Sequence, residues 1–248
     1  MLFLFLRSGL VLRVTARLRP ASIMEFATRY QRKVSRLIFY FTGAFAGMRM
    51  GIEQFPGTLP PVMLIITNHQ SLVDIPALAM AFPRHALRWV AKKELGRKIP
   101  YISANLRIGR HALISRTKDY REGHRELVRF AKLGEEGICP VVFPEGTRSR
   151  TGYVQGFHAG AVRIILETMR LPVLSVAVDG GYRIATVMKV LVHLRNTIYR
   201  IKPLTLFPPP RGKKEIADLL GKVEREIAGQ ILTWRKEERE EQARGRER

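Results

Sequence analysis

Two short polar segments contain the residues of this chain that are best suited to chemistry. Residues 68–74 read NHQSLVD and residues 143–150 read FPEGTRSR, and each segment follows an apolar run. The first segment offers a base, His69, and a carboxylate, Asp74, that could orient it. The second offers a glycine turn, a hydroxyl group and two guanidinium groups, a combination that suits a phosphate. A base beside an anion site indicates transfer of a group onto an alcohol that carries a phosphate.

The elements around the first segment predict how His69 and Asp74 meet. Residues 62–67 (VMLIIT) are apolar and β-branched, which is typical of a buried strand, and Asp74 precedes Ile75-Pro76 at the expected start of a helix. On one continuous helix the two side chains would lie on different faces, so a strand–loop–helix turn is needed to bring them together. His69 could then take a proton from a substrate hydroxyl, as in a triad whose serine is replaced by the substrate alcohol. The alternatives are helix capping by Asp74 and a structural role for His69.

The second segment also follows a predicted strand, residues 138–143 (ICPVVF). Gly146 permits close backbone approach, Thr147 offers a hydroxyl and an N–H, and Arg148 offers a fork that matches phosphate oxygens. Glu145 is expected to hold a basic side chain in place rather than to accept the proton. The alternative is a polar turn whose arginines are simply solvated.

Together these motifs resemble those of the glycerolipid acyltransferases, and most closely those of the bacterial 1-acylglycerol-3-phosphate acyltransferases. The resemblance rests on Asn-His-x-x-x-x-Asp followed by Phe-Pro-Glu-Gly-Thr-Arg-Ser, and it covers roughly residues 60–180. Further similar stretches are residues 91–95 with Pro100 beyond, residues 109–116 and residues 171–176. In two places the chain departs from the family pattern: residues 157–160 read FHAG where Phe-Lys-x-Gly is frequent, and Ser175 stands where a proline is frequent.

The resemblance implies transfer of a fatty acyl chain from an acyl thioester to the sn-2 hydroxyl of 1-acylglycerol-3-phosphate, which gives phosphatidic acid. It implies His69 as the general base and Asp74 as its orienting partner. It also implies an acceptor-phosphate site formed or supported by Arg116, Glu145, Gly146, Thr147 and Arg148. No metal and no cofactor are implied; acyl-coenzyme A or acyl carrier protein would bring the acyl chain as a substrate. Because of the two departures, another lysolipid, such as a lyso-phospholipid or an amino-acid-based lipid, stays open as the acceptor.

Direct transfer is the expected mechanism, with no acyl-enzyme on serine or cysteine. The chain has one cysteine, Cys139, inside an apolar run, so a buried structural thiol is expected rather than a nucleophile. A single cysteine also excludes an internal disulfide framework and fits a reducing compartment. Asn68 and Ser71 are expected to shape their loop through hydrogen bonds.

The chain is strongly basic, with a formal net charge of +22 over 248 residues. Such a charge favours anionic partners, either a lipid surface and polyphosphate carriers or a nucleic acid. The sequence has no zinc-ligand spacing and no RNA-binding aromatic motif, so an anionic membrane surface is favoured and no specific nucleic acid is expected. A non-catalytic basic protein that binds membranes or nucleic acid is the remote alternative.

The N-terminal region is expected to bring the protein to the membrane. Residues 1–12 are apolar but interrupted by Arg7, with no basic start and no cleavage site, so no signal peptide is predicted. Residues 23–48 show a helical apolar stripe that becomes apolar nearly all round from Leu37 to Met48, too short to cross a bilayer. This pattern favours a monotopic element on the cytoplasmic face of the inner membrane; a helix packed on the core is the alternative.

The remaining pattern predicts an α/β fold with a mixed central sheet flanked by helices and an N-terminal membrane-associating helical element. Further strands are expected at residues 88–91, 112–114, 173–178 and 197–201, and helices at residues 120–133 and 157–169. The predicted organisation is residues 1–50 as membrane-associating helices, 51–212 as the acyltransferase domain, and 213–248 as an amphipathic helix with a charged tail.

Overall fold

Seven strands form one mixed sheet in the computed structural model, which describes residues 2–98, 100–115, 120–184 and 197–246. The strands within these ranges are β1 (Arg49–Ile52), β2 (Leu64–Thr67), β3 (Ala86–Lys92), β4 (Ala112–Ile114), β5 (Ile138–Val142), β6 (Val173–Asp179) and β7 (Ile198–Phe207). Their order across the sheet is β1-β7-β6-β2-β5-β3-β4. The α/β class and the mixed sheet predicted from the sequence are confirmed.

Strands β2 to β6 all run in the same direction, whereas β7 pairs antiparallel with β6 and carries β1 parallel to itself. The central strand β2 lies between β5 and β6, and all four of its residues are buried. Burial on both faces explains why this strand is a continuous apolar run rather than an alternating one.

Helices cover both faces of the sheet. They are α1 (Leu2–Leu18), α2 (Ile23–Ala46), α3 (Asp74–Ala81), α4 (Leu95–Lys98), α5 (Pro100–Ile108), α6 (Tyr120–Ala131), α7 (Ala159–Thr168) and α8 (Gly212–Arg246). Short 3₁₀ turns occupy Pro20–Ser22, Lys132–Glu136 and Gly181–Ile184. The helices predicted at residues 120–133 and 157–169 are confirmed, apart from shifts of one or two residues at their ends.

Alternate residues of β2 face two separate cores. Leu64 and Ile66 pack in one core with α6, α7 and α8, and Ile65, with Met63 just before the strand, packs in the other with α2 and α3. The apolar stripe predicted along the C-terminal helix is buried in the first core, from Ile216 to Trp234. Helices α3 and α7, which follow β2 and β5, therefore lie on opposite faces of the sheet.

The two N-terminal helices pack on the domain rather than standing apart from it. Helix α1 lies against α5, and α1, α2 and α5 together bury a third apolar cluster that includes Leu12 and Val34. Helix α2 also lies against α3. Arg88, buried in β3, donates to the Thr28 hydroxyl of α2 (2.9 Å) and to the carbonyl of Gly109 (2.5 Å). Burial lowers the pKa of the Arg88 guanidinium to about 10.

The apolar end of α2 is buried on one side and exposed on the other. Phe39 and Met48 are buried in the core beneath the sheet, and the Phe39 ring lies 6.4 Å from that of Tyr199. Tyr40 and Phe41 of the same segment are exposed. Packing on the domain therefore accounts for the buried side of this segment only. Within the described ranges, none of the helices combines the length and hydropathy that crossing a bilayer would require.

Candidate active site

Three loops meet at the carboxyl edge of the central strands. Residues 68–73 follow β2, residues 143–158 follow β5, and the turn Gly181–Ile184 follows β6. Because β2 and β5 are adjacent and their following helices lie on opposite faces, the direction of the chain connections reverses between these two strands. Both sequence motifs therefore lie where open α/β sheets bind their ligands.

His69 and Asp74 form a direct pair. The imidazole Nδ1 lies 2.7 Å from Asp74 Oδ2, and the Asp74 carboxylate is buried. The same Oδ2 accepts the backbone N–H groups of Gln70 (2.7 Å) and Ser71 (2.9 Å). The Asp74 side chain thus turns back onto its own loop. Val73 occupies the N-cap position of α3, and the hydrogen bonds of Asp74 among the described residues go to its loop and to Tyr199 rather than to N–H groups of that helix.

The pairing sets the chemistry of the two imidazole nitrogens. An ionised carboxylate can only accept, so Nδ1 carries the proton and Nε2 of the neutral ring is the acceptor. The ring of Phe143, from the second motif, stacks on the imidazole with a centroid distance of 4.1 Å and an interplanar angle of 23°. His69 is therefore fixed in orientation with its Nε2 suited to take a proton.

Tyr199 supports Asp74 from the opposite side of the carboxylate. Its hydroxyl, buried on β7, donates to Asp74 Oδ1 at 2.5 Å. Burial and the neighbouring Asp74 charge raise the pKa of Tyr199 well above its ordinary value, which keeps the hydroxyl protonated and donating. Sequence reasoning missed this residue, because a tyrosine in an apolar strand carries no local sign of a polar partner.

Glu145 joins the two motifs through backbone groups. Its Oε1 accepts the N–H of His69 at 2.6 Å and its Oε2 accepts the N–H of Gln155 at 3.0 Å. Only 3% of the residue is exposed, and burial raises the pKa of its carboxyl to about 7 although both N–H donors favour the ionised form. The expectation that Glu145 holds a basic side chain is therefore wrong; it holds the backbone of His69.

A further hydrogen bond completes the link between the loops. Ser149 donates its N–H to the carbonyl of His69 at 2.7 Å. Both backbone polar groups of His69 are thus held by residues of the second motif. The structure brings the two motifs together as one unit.

The tip of the second loop is open to solvent. Gly146 has a φ of 64°, in the left-handed region that favours glycine, and its N–H closes a turn onto the carbonyl of Phe143. Thr147 and Arg148 are exposed at this tip, and no acidic side chain in the described part of the chain forms an ion pair with Arg148. Arg116, the other basic residue predicted for this site, lies outside the described residues.

Polar side chains of the first loop fix its shape, as the sequence predicts for Asn68 and Ser71. The Asn68 amide exchanges two hydrogen bonds of 2.9 Å with the backbone of Val178, which ties the end of β2 to β6. The Ser71 hydroxyl accepts the N–H of Val73 at 3.2 Å. Cys139 is buried in β5 and burial raises the pKa of its thiol to about 11, which is unsuited to a nucleophile.

Comparison with known proteins gives a consistent assignment. A sequence model of the Acyltransferase family matches residues 52–179, which include both motifs and strands β2 to β6. The chain belongs to this acyltransferase family. It is 33% identical over 147 residues to the 1-acyl-sn-glycerol-3-phosphate acyltransferase of Helicobacter pylori, 58% of this chain and 57% of the relative. It is 31% identical over 124 residues to the coconut (Cocos nucifera) protein of the same name, 48% of this chain and 38% of the relative.

Other relatives agree in name and in fold. The Pseudomonas aeruginosa 1-acyl-sn-glycerol-3-phosphate acyltransferase is 28% identical over 168 residues, 65% of this chain and 62% of the relative. The alignments therefore span between 38% and 62% of these curated relatives. The crystal structure of the 1-acyl-sn-glycerophosphate (LPA) acyltransferase PlsC from Thermotoga maritima shares the fold, with a TM-score of 0.62 and 23% identity over 93% of this chain and 96% of that one.

Proposed function

We propose that this acyltransferase moves a fatty acyl chain from an acyl thioester to the sn-2 hydroxyl of 1-acylglycerol-3-phosphate and forms phosphatidic acid. The observation that carries the proposal is the His69–Asp74 pair, 2.7 Å apart, on a loop whose backbone is held by residues of the second motif. A proton acceptor and a basic loop at the same edge of the sheet suit an alcohol that carries a phosphate. The names of the three relatives support the same substrate.

The mechanism follows from the atoms at the site. His69 Nε2 takes the proton of the acceptor hydroxyl as its oxygen attacks the thioester carbonyl, and Asp74 stabilises the imidazolium that forms. The tetrahedral intermediate collapses, the C–S bond breaks, and the imidazolium returns its proton to the departing thiolate. The acyl donor is a thioester of coenzyme A or of acyl carrier protein. Thr147 and Arg148, with Arg116, bind the acceptor phosphate, and Glu145 and Gly146 shape that loop.

A different lysolipid acceptor is the second candidate. His158 occupies the position where a lysine is frequent in the family motif. It is exposed, and its backbone N–H donates to the carbonyl of Pro144 at 3.0 Å. A neutral imidazole there would provide less attraction for a phosphate monoester. The other departure, Ser175, has a structural explanation. The Ser175 hydroxyl donates to Glu226 of α8 (2.5 Å) and accepts the N–H of Thr205 (3.0 Å). Ser175 therefore helps to attach α8 to the sheet and does not bear on the choice of substrate.

Monotopic contact with an anionic membrane is part of the proposal, and its position moves to α1. Leu6, Leu10, Val14 and Leu18 recur every four residues along α1 and are between 47% and 73% exposed. Arg7, Arg13 and Arg17 are exposed beside them. An apolar stripe flanked by arginines suits the interface of a bilayer that carries anionic headgroups, such as the cytoplasmic face of the inner membrane.

The test of the proposed substrate is acyl transfer by purified, detergent-solubilised protein to a panel of lysolipids. Both thioester types would be supplied, and Arg148→Met would be compared with the exposed control Arg170→Met. We expect 1-acylglycerol-3-phosphate to be the preferred acceptor, with a raised KM for it in Arg148→Met alone. Preference for an acceptor without a phosphate monoester, with equal KM values in both variants, would contradict 1-acylglycerol-3-phosphate as the acceptor. It would leave acyl transfer as the reaction.

A further inference from the structure

Gln70 connects all three loops of the site, although it carries no proton-transfer chemistry. Its side chain is fully buried, next in sequence to His69. The amide nitrogen donates to the carbonyl of Gly152 (2.9 Å) and to Asp179 Oδ1 (3.1 Å), and the amide oxygen accepts the N–H of Tyr182 (3.3 Å). The position of the His69 loop therefore depends on where Asp179 and Gly152 lie.

Arg235, from the long helix α8, contacts both Asp179 and Gly152. Only 8% of it is exposed; Nη2 lies 2.6 Å from Asp179 Oδ1, and Nη1 donates to the Tyr182 hydroxyl at 2.6 Å. Its guanidinium carbon lies 4.3 Å from the centre of the Tyr182 ring. It also packs so closely on Gly152 that a Cβ at this glycine would lie 2.6 Å from Nη2.

A second route leads from Gly152 to His69. The N–H of Gly152 donates to the Ser149 hydroxyl (3.1 Å), and Ser149 donates its own N–H to the His69 carbonyl (2.7 Å). Gly152 has a φ of 84° and thus depends on the absence of a side chain at the point where Arg235 approaches. Arg235 is therefore connected to the His69 loop both through Asp179 and Gln70 and through Gly152 and Ser149.

We propose that Arg235 is a positioning residue for acyl transfer, which fixes the loop of His69 from α8 through Asp179 and Gly152. Arg235 lies outside residues 52–179, the part of the chain that matches the family model. The inference rests on the proposed acyl transfer but not on which lysolipid accepts the chain. Without Arg235, Asp179 would be a buried carboxylate without its ion-pair partner, so Gln70 and the turn after β6 would have to rearrange.

The test compares Arg235→Met and Arg235→Lys with Lys236→Met, the adjacent cation of α8, whose side chain is 80% exposed. Turnover is measured on the acceptor that the wild type uses best. We expect kcat of Arg235→Met to fall about 10- to 100-fold with both KM values within about twofold, because the reacting groups are misplaced while substrate binding is kept. Arg235→Lys should recover part of the loss, and Lys236→Met should match the wild type.

Energetic coupling between Arg235 and Gln70 distinguishes a role of Arg235 in positioning the His69 loop from a role in general stability. In a double-mutant cycle, Gln70→Ala should add little further loss of kcat in the Arg235→Met background, since both act through one network. Additive losses, or a folded Arg235→Met protein with kcat within about twofold of the wild type, would overturn the inference. If Arg235→Met does not fold, the same cycle is run with Arg235→Lys.

Amide hydrogen exchange provides a reading that needs no substrate. We expect faster exchange at residues 69–71 and 149–152 in Arg235→Met than in Lys236→Met, because the loops lose a common support. Equal exchange in the two variants would overturn the inference even if the wild type acylates no acceptor. Absence of wild-type turnover alone would count against the proposed function instead.

Discussion

Among single residues, Asp74 is the point on which the geometry of the site depends. Its carboxylate receives hydrogen bonds from the His69 imidazole, from two backbone N–H groups and from the Tyr199 hydroxyl. With four donors around a buried carboxylate, its position is fixed, and with it the ring of His69. The loss of any one donor should be measurable.

Replacing Tyr199 with phenylalanine tests this support. The change removes the donor to Asp74 Oδ1 and leaves that oxygen buried, so we expect a loss of about 1–3 kcal/mol in the free energy of unfolding. Chemical denaturation would measure it, and kcat should fall as well because His69 loses part of its support. Tyr120→Phe, at an exposed position, is the control. Unchanged stability and rate in Tyr199→Phe would contradict a supporting role.

The raised pKa of Glu145 predicts that the stability of the folded protein changes with pH. Because burial raises its pKa from 4.5 to about 7, the folded protein binds this proton more tightly than the unfolded chain does. Its stabilising contribution is therefore complete below about pH 4.5 and is lost as the pH rises through about 7. Relative to Glu145→Gln, the wild type should lose roughly 2–3 kcal/mol of unfolding free energy between pH 4.5 and 8.

Unfolding of both proteins across this pH range would measure the difference. Glu136→Gln, which changes a half-exposed carboxylate paired with Arg110, is the control for removal of a surface charge. A flat difference for Glu145→Gln over the same range would show that the two backbone donors outweigh burial.

At the scale of elements, the amphipathic stripe of α1 predicts the membrane contact. Leu10→Asn and Leu18→Asn each place a neutral polar group on the exposed apolar face. Since burying one leucine side chain is worth about 1.5–3 kcal/mol, each change should reduce partitioning onto anionic vesicles roughly tenfold or more. Flotation with vesicles measures this, and Leu232→Asn, at an exposed leucine of α8, should leave binding unchanged. Equal binding by all three variants would place the contact elsewhere.

Some elements could be predicted from the sequence because their determinants are local. The strand–loop–helix unit around His69 and Asp74 follows from one apolar run and one turn. The apolar stripe of residues 23–48 predicts a helix. Periodicity alone, however, does not distinguish an apolar face in contact with lipid from one in contact with the protein core. The structure buries Phe39 and Met48 against the domain and leaves the stripe of α1 exposed.

Other contributors to the site could not be predicted, because they approach from elements that are distant in sequence. Tyr199 reaches Asp74 only because β7 pairs beside β6, and Arg235 reaches Asp179 only because α8 packs across the sheet. The role of Glu145 was mistaken for a similar reason: its partners are backbone N–H groups, one of them on a loop 76 positions away. A sequence motif gives the types of the side chains but does not indicate which backbone groups they contact in the fold.

For the whole molecule, the net charge of +22 predicts that membrane binding depends on salt. Each basic residue near an anionic surface contributes about 1 kcal/mol, and this attraction is screened within about 10 Å at 0.1 M salt. Binding to anionic vesicles should therefore weaken strongly between about 0.05 and 0.5 M salt, whereas the weaker binding to neutral vesicles should change little. Equal salt dependence on both vesicle types would contradict an electrostatic contribution.

We propose that His69, oriented by Asp74, is the base of the acyl transfer, and a comparison of single-turnover acyl transfer by His69→Ala and wild-type protein tests this role. A general base contributes about 10²–10⁴ in rate, so the variant should lose at least a hundredfold while its unfolding curve stays close to that of the wild type. His85→Ala, which changes the histidine between α3 and β3, is the control and should retain turnover. A folded His69→Ala protein that transfers the acyl chain within about tenfold of the wild-type rate would contradict the account.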